Sequence, residues 1–289
     1  MKNLYPTSFG DIARWAAGSG VPVSEAKFRF AQYGVLQAIT ASKALSSILV
    51  FKGGNALDFV WQPNRSTKDL DFSARESELG AEQIRELLAS SLQRAGRETG
   101  ITYRVQRVKQ NPPGANKTFI TYDVTVGYAL PDDLRSRQKI EHGENVSPVV
   151  PVEISLNEPI CAVVEIDIDG THPLQVSTLE DIVAEKLRAL LQQPIRNRSR
   201  RQDLLDIAVT LRGHPELNRT EVAEYLLRKA AARDVSVSRA AFRQEEVKTR
   251  AAQGYNELAA TTRNLFIPFE EAYVEVMAFV DQLNLPERL

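Results

Sequence analysis

The chain has a single cysteine, Cys161, so it holds no internal disulfide framework, and its three histidines are too scattered for zinc-ligand spacing. Both features suit a reducing cytoplasm. No apolar run approaches the roughly 20 residues that a membrane-spanning helix needs, and the N-terminal MKNLYPTSFGDIARW has no apolar signal core. Neither export nor a membrane segment is expected. Net charge is nearly absent: 36 Lys and Arg stand against 37 Asp and Glu. Attraction to nucleic acid must therefore come from a local basic patch. Repeats and low-complexity tracts are also missing. What remains, 289 residues at 43% hydrophobic and 25% charged, can fill one large or two modest domains.

The densest stretch is residues 49–72, LVFKGGNALDFVWQPNRSTKDLDF. An apolar run ending at Lys52 reads as a buried strand. Gly53 and Gly54 follow, where backbone amides can approach a ligand with no Cβ in the way. After the short apolar segment from Ala56 to Trp61, a second strand is expected from about Thr67. Alternation then puts Thr67, Asp69 and Asp71 on one face and Leu70 and Phe72 on the other. Two carboxylates on one strand face are costly unless a cation or proton neutralises them. Mg²⁺ favours one or two carboxylates plus substrate phosphates, so the stretch reads as a nucleoside-triphosphate site.

Farther on, Ser177 to Glu180 forms a capping box that starts a helix running to Gln193. At 100° per residue Leu179, Ile182, Val183, Leu187 and Leu190 share an apolar face, and Lys186 falls near its centre. An ammonium there needs an anion, for which Asp69, Asp71 and a nucleotide phosphate are the candidates. On that basis Lys186→Met, which keeps the apolar stem, should hold or raise stability while weakening NTP binding. Residues 194–201, PIRNRSRR, carry Arg196, Arg198, Arg200 and Arg201 without an acid, the best candidate for an RNA contact. In the helix that follows, Asp203 lies beside the stripe of Leu204, Ile207, Ala208 and Leu211, whereas Asp206 points farther from it.

KGGNAL followed by RSTKDLDF, and later LEDIVAEKLRALLQQ followed by RRQDLLDI, resemble the nucleotidyltransferase toxins of the AbiEii/AbiGii type. Asn55 departs from the Thr or Ser usual in that family. The resemblance implies Mg²⁺-dependent transfer of a nucleoside monophosphate from an NTP to an acceptor hydroxyl, by a type IV toxin with a cognate antitoxin and the 3′ end of tRNA as acceptor. It implies that Asp69, Asp71 and a third acid hold Mg²⁺ and that Gly53, Gly54 and Asn55 cradle phosphates. Lys186 would neutralise the triphosphate, Asp203 would orient Lys186 or the nucleotide, and Asp206 would be structural. The third acid sits on a strand of I-[DE]-I-S type shortly before the A-E-K-L helix. VEISLNEP fits that better than VEIDIDG, which selects Glu153 and keeps Asp167 as the alternative.

The remaining segments read as scaffold. Residues 1–46 are helical, Leu79 to Ala95 is an amphipathic helix, and 101–128 hold two alternating strands around NPPGAN. The polar stretch 131–147 reads as a mobile surface loop able to touch a large substrate. Glu165, Asp167 and Asp169 share a polar strand face. The expected fold is α+β, a nucleotidyltransferase-like mixed sheet flanked by helices, with one domain over 1–213 and a helical one over 214–289. The rival functions are transfer to a small hydroxylated compound such as an antibiotic, and a catalytically inactive interaction module.

Overall fold

The computed structural model describes residues 5–64, 67–115, 117–168, 172–262 and 265–288. Asp169 and the Arg65-Ser66 pair of the RSTKDLDF motif lie outside the described residues. The chain forms two compact units, each described separately. The first comprises Met1–Asn55, Lys68–Asn157 and Val164–Val176. The second comprises Ala56–Thr67, Glu158–Val163 and Ser177–Leu289. This division groups residues 177–213 with the C-terminal helices, whereas the sequence placed a boundary at 213.

The first unit is built on a seven-stranded mixed sheet of order β3-β4-β5-β2-β1-β7-β6. The strands are β1 (Leu49–Lys52), β2 (Leu70–Ala74), β3 (Thr102–Asn111), β4 (Thr121–Ala129), β5 (Val149–Ser155), β6 (Val163–Asp167) and β7 (Pro173–Ser177). β2 runs parallel to β5 and β1 parallel to β7; β1 with β2, β3 with β4 and β4 with β5 are antiparallel. Strand alternation splits the residues cleanly. Phe51, Leu70, Phe72, Val152, Ile154, Val124 and Val126 lie on one face and are buried. Tyr103, on this face of β3, donates its hydroxyl to the Ala31 carbonyl at 2.9 Å, so helix α2 (Val23–Thr40) covers it. Helix α5 (Ala81–Thr99) packs beside α2 and against β3. The polar side chains of the central strands are thereby left on the opposite face.

Four local features depart from the sequence expectations. β2 begins at Leu70 rather than Thr67, so Asp69 immediately precedes the strand. Gly53–Ala56 is not an open turn but a short helix, α4, that continues as a wider turn over Leu57–Trp61. β7 was not anticipated, because PLQVS has only three apolar positions. The stretch 131–147 contains helix α6 (Leu134–Glu141), capped by Asp133 Oδ1 accepting from Ser136 N at 3.0 Å, with Ile140 buried against Ala129 and Val146. That cap and one apolar anchor outweigh an otherwise polar composition.

The second unit is helical: α7 (Leu179–Leu191), α8 (Gln193–Arg196), α9 (Arg201–Gly213), α10 (Arg219–Ala231), α11 (Arg239–Phe242), α12 (Glu245–Ala252) and α13 (Phe269–Gln282). Its core joins Val183, Leu187 and Leu190 of α7 to Leu204, Ile207 and Ala208 of α9, Leu226 of α10 and Val276 and Val280 of α13. Thr178, one residue beyond Ser177, caps α7 by accepting from Asp181 N at 3.3 Å, a cap worth about 1 kcal/mol. Among the described residues no helix is long and apolar enough to cross a membrane.

Candidate active site

Strand register assembles the acids of the first unit. Asp71 lies opposite Glu153 in the parallel β2/β5 pair, and Glu153 lies opposite Asp123 in the antiparallel β5/β4 pair. Lys52 is opposite Asp71 on one side of this row, and Lys109 is opposite Asp123 on the other. Residues directly opposite one another share a sheet face, with neighbouring strands about 4.8 Å apart. The row Lys52, Asp71, Glu153, Asp123, Lys109 thus crosses the polar face, Glu153 exposed and Asp71 half-buried. Asp167 lies on β6, separated from β2 by β7 and β1. The register therefore favours Glu153 over Asp167 as the neighbour of Asp71. Asp123, unremarked in the sequence, enters the row only through the β4/β5 pairing, which no local pattern reveals.

Asp69 stands at the entry to β2. Burial raises its carboxyl above the ordinary aspartate value, against the opposing charge of Lys68. Among the described residues no three His, Cys, Asp or Glu side chains are gathered tightly enough to hold a metal ion. The donor chemistry nevertheless fits a hard cation: Asp71 and Glu153 offer adjacent carboxylate oxygens, and Mg²⁺ takes the rest of its shell from phosphate and water.

Gly53 closes this site from the β1 side. Its φ is +73°, and a Cβ there would come within 2.9 Å of Asp71 Cβ and Cγ. Only glycine fits both the backbone and the space. Gly53→Ala is expected to cost about 1–2 kcal/mol in backbone strain and to displace Asp71, lowering transfer at least tenfold. Gly80→Ala, where nothing lies within 4 Å, is the control for comparing kcat and thermal unfolding. Gly54 follows in α4, half-buried. Asn55 is fully buried and donates its side-chain amide to the Asp69 carbonyl, which ties α4 to the residue entering β2.

In the second unit Lys186 is buried, and its ammonium meets two carboxylates: Asp203 Oδ1 at 2.9 Å and Asp206 Oδ2 at 2.7 Å. The anion required by its mid-face position is thus supplied by α9. Asp206, at 3% side-chain exposure, is deeper than Asp203 at 15%, the reverse of the sequence expectation. Residues three apart on a helix are neighbours, so one ammonium spans both. The expectation that Lys186→Met leaves stability intact is corrected accordingly, because the substitution would strand two acids. Around α7, Lys229 pairs with buried Asp181 at 3.0 Å and donates to the Pro159 carbonyl, while Arg188 pairs with Glu185 at 2.6 Å. These contacts fix the helix that carries Lys186. Cys161, whose backbone N–H donates to Asp181, has its thiol pushed up to about 11, chiefly by burial, and stays protonated at neutral pH.

The arginine run divides. Arg201 donates to the Gly254 carbonyl and to Glu257, both at 2.7 Å, and Arg200 lies 3.9 Å from Asp203. Arg196 and Arg198 are exposed, with no acid partner among the described residues. Their loop is held from below by buried Gln193, which donates to the Leu190 and Val247 carbonyls and accepts from Arg200 N.

The fold has solved relatives. MenT4, a nucleotidyltransferase toxin of Mycobacterium tuberculosis H37Rv, superposes with a TM-score of 0.58 at 19% identity, over 95% of this chain and 90% of its own. A nucleotidyltransferase of H. pylori described as putative gives 0.52 at 15%, over 90% and 95%. JHP933 of Helicobacter pylori gives 0.51 at 15%, over 90% of each chain. No curated protein matches the sequence. The family model described as the nucleotidyl transferase AbiEii toxin of type IV toxin–antitoxin systems matches residues 35–275. With most of its length inside that match, this chain belongs to the AbiEii family of nucleotidyltransferase toxins.

Proposed function

We propose that the protein transfers a nucleoside monophosphate from an NTP to an acceptor hydroxyl on RNA, the 3′ end of tRNA in particular, in the cytoplasm and under the control of a cognate antitoxin. The observation that carries this is the alignment of Asp71 with Glu153 across β2 and β5, with Gly53 packed against Asp71. Asp69, Asp71 and Glu153 would hold Mg²⁺, which when bound offsets phosphate charge and lowers the pKa of the acceptor hydroxyl. The amides of Gly53 and Gly54 receive phosphate oxygens. Asn55, engaged with the Asp69 carbonyl, positions that acid rather than touching phosphate. In the second unit Lys186, its ammonium held by Asp203 with Asp206, is the lysine this reading assigns to nucleotide binding. Arg196 and Arg198 support an RNA acceptor over a small molecule, since exposed arginines without acid partners are suited to backbone phosphates.

Incubation with Mg²⁺, cellular RNA and ATP, CTP, GTP or UTP labelled at the α or γ phosphate tests this directly. The expected result is α label on RNA and γ label released as pyrophosphate. γ label on RNA, or α label only on small molecules, would overturn it.

A further inference from the structure

We propose that the open polar face of β3, β4 and β5 is the track along which a single-stranded nucleic-acid acceptor approaches the acids, with Arg107 and Lys109 holding its phosphates. The inference rests on the RNA acceptor proposed above and assigns it a surface within the first unit.

Lys109 ends the row that begins at Lys52 and Asp71, and Arg107 lies opposite Thr125 one step along β3 on the same face. Both are exposed, and neither has an acid partner among the described residues. On that face Thr125 and Thr121 of β4 stand on either side of Asp123, and Pro151 of β5 lies opposite Thr125, so the floor beside the acid row is made of short side chains. From β2 to β3 is three strand spacings, about 14 Å, the length of roughly four stacked nucleotides. Asp123 lies between, where a carboxylate repels phosphate but accepts hydrogen bonds from ribose hydroxyls and base amines.

Helix α6 borders the same face. Gly127, opposite Arg104, would bring a Cβ within 2.9 Å of Val146, and Gln106 donates to the Val146 carbonyl at 3.1 Å. The segment after α6 is therefore seated on the sheet, and α6 itself contributes Arg135, Arg137 and Lys139 with no acid between Leu134 and Ile140. Along the track Arg107 and Lys109 lie at the outer end, Asp123 midway, and Glu153 with Asp71 at the inner end. A strand with its terminal hydroxyl at Asp71 and its phosphates toward β3 satisfies both ends.

The test uses a fluorescently labelled, mixed-sequence single-stranded RNA and the full chain, wild type against Arg107→Gln/Lys109→Gln. The double variant should flatten the plot of log affinity against log salt by about 1.4, that is about 0.7 for each lost phosphate contact. It should raise the KM for RNA at least tenfold and leave the KM for NTP unchanged. An unchanged salt slope and RNA KM, with the wild type labelling RNA, overturns the track alone. Failure of the wild type to label cellular RNA, tRNA included, overturns the RNA acceptor and the track together.

Discussion

Asp71→Asn is expected to lower nucleotide transfer about a thousandfold while thermal unfolding stays within about 1 kcal/mol of wild type. The carboxylate faces Glu153 across β2 and β5, so its loss removes a cation ligand and also relieves a like-charge contact. Metal-ion stabilisation of transition-state charge is worth several kcal/mol, and each 1.36 kcal/mol is a factor of ten in rate. Steady-state transfer and a circular-dichroism melt on the same preparation separate the two effects. Turnover within tenfold of wild type would remove Asp71 from the chemistry.

The second large effect is on stability. Lys186→Met is expected to destabilise the second unit by about 3–5 kcal/mol, because buried Asp206 and half-buried Asp203 are left around an apolar tip. Replacing the deeper acid as well, in Lys186→Met/Asp206→Leu, should recover much of that loss, since a buried ion pair can be exchanged for packed apolar groups at little cost. Both variants should lose transfer. Calorimetric melts decide the matter: a single variant that unfolds where the wild type does would show that Lys186 is not held as the structure shows.

How much of this was legible in the sequence depended on range. β1, β3 to β6, α5, α7 and α9 follow from local alternation, apolar runs or helical spacing; Asp69 and Asp71 are marked as like charges on one strand face, and Lys186 as a charge within an apolar stripe. The partners of those residues are set by tertiary contacts. Lys186 demanded an anion, but which one depended on how α9 packs against α7, and the angle of Asp206 to its own stripe gave the wrong order of burial. The third acid depended on register. Glu153 and Asp167 sit on equally alternating strands, and only the sheet order puts one beside Asp71 and the other two strands beyond β1. α6 escaped notice because one cap and one buried isoleucine make it, within a composition that otherwise reads as loop. Asn55 looked like a phosphate contact by its neighbours, Gly53 and Gly54, yet its burial turns it toward Asp69.

The transfer of α-labelled nucleotide to RNA by Glu153→Gln and Asp167→Asn, compared under identical Mg²⁺, tests most directly whether the carboxylates aligned across β2 and β5 carry the chemistry. Glu153→Gln should fall at least a hundredfold and Asp167→Asn should stay within twofold of wild type; full activity in Glu153→Gln with loss in Asp167→Asn would contradict it.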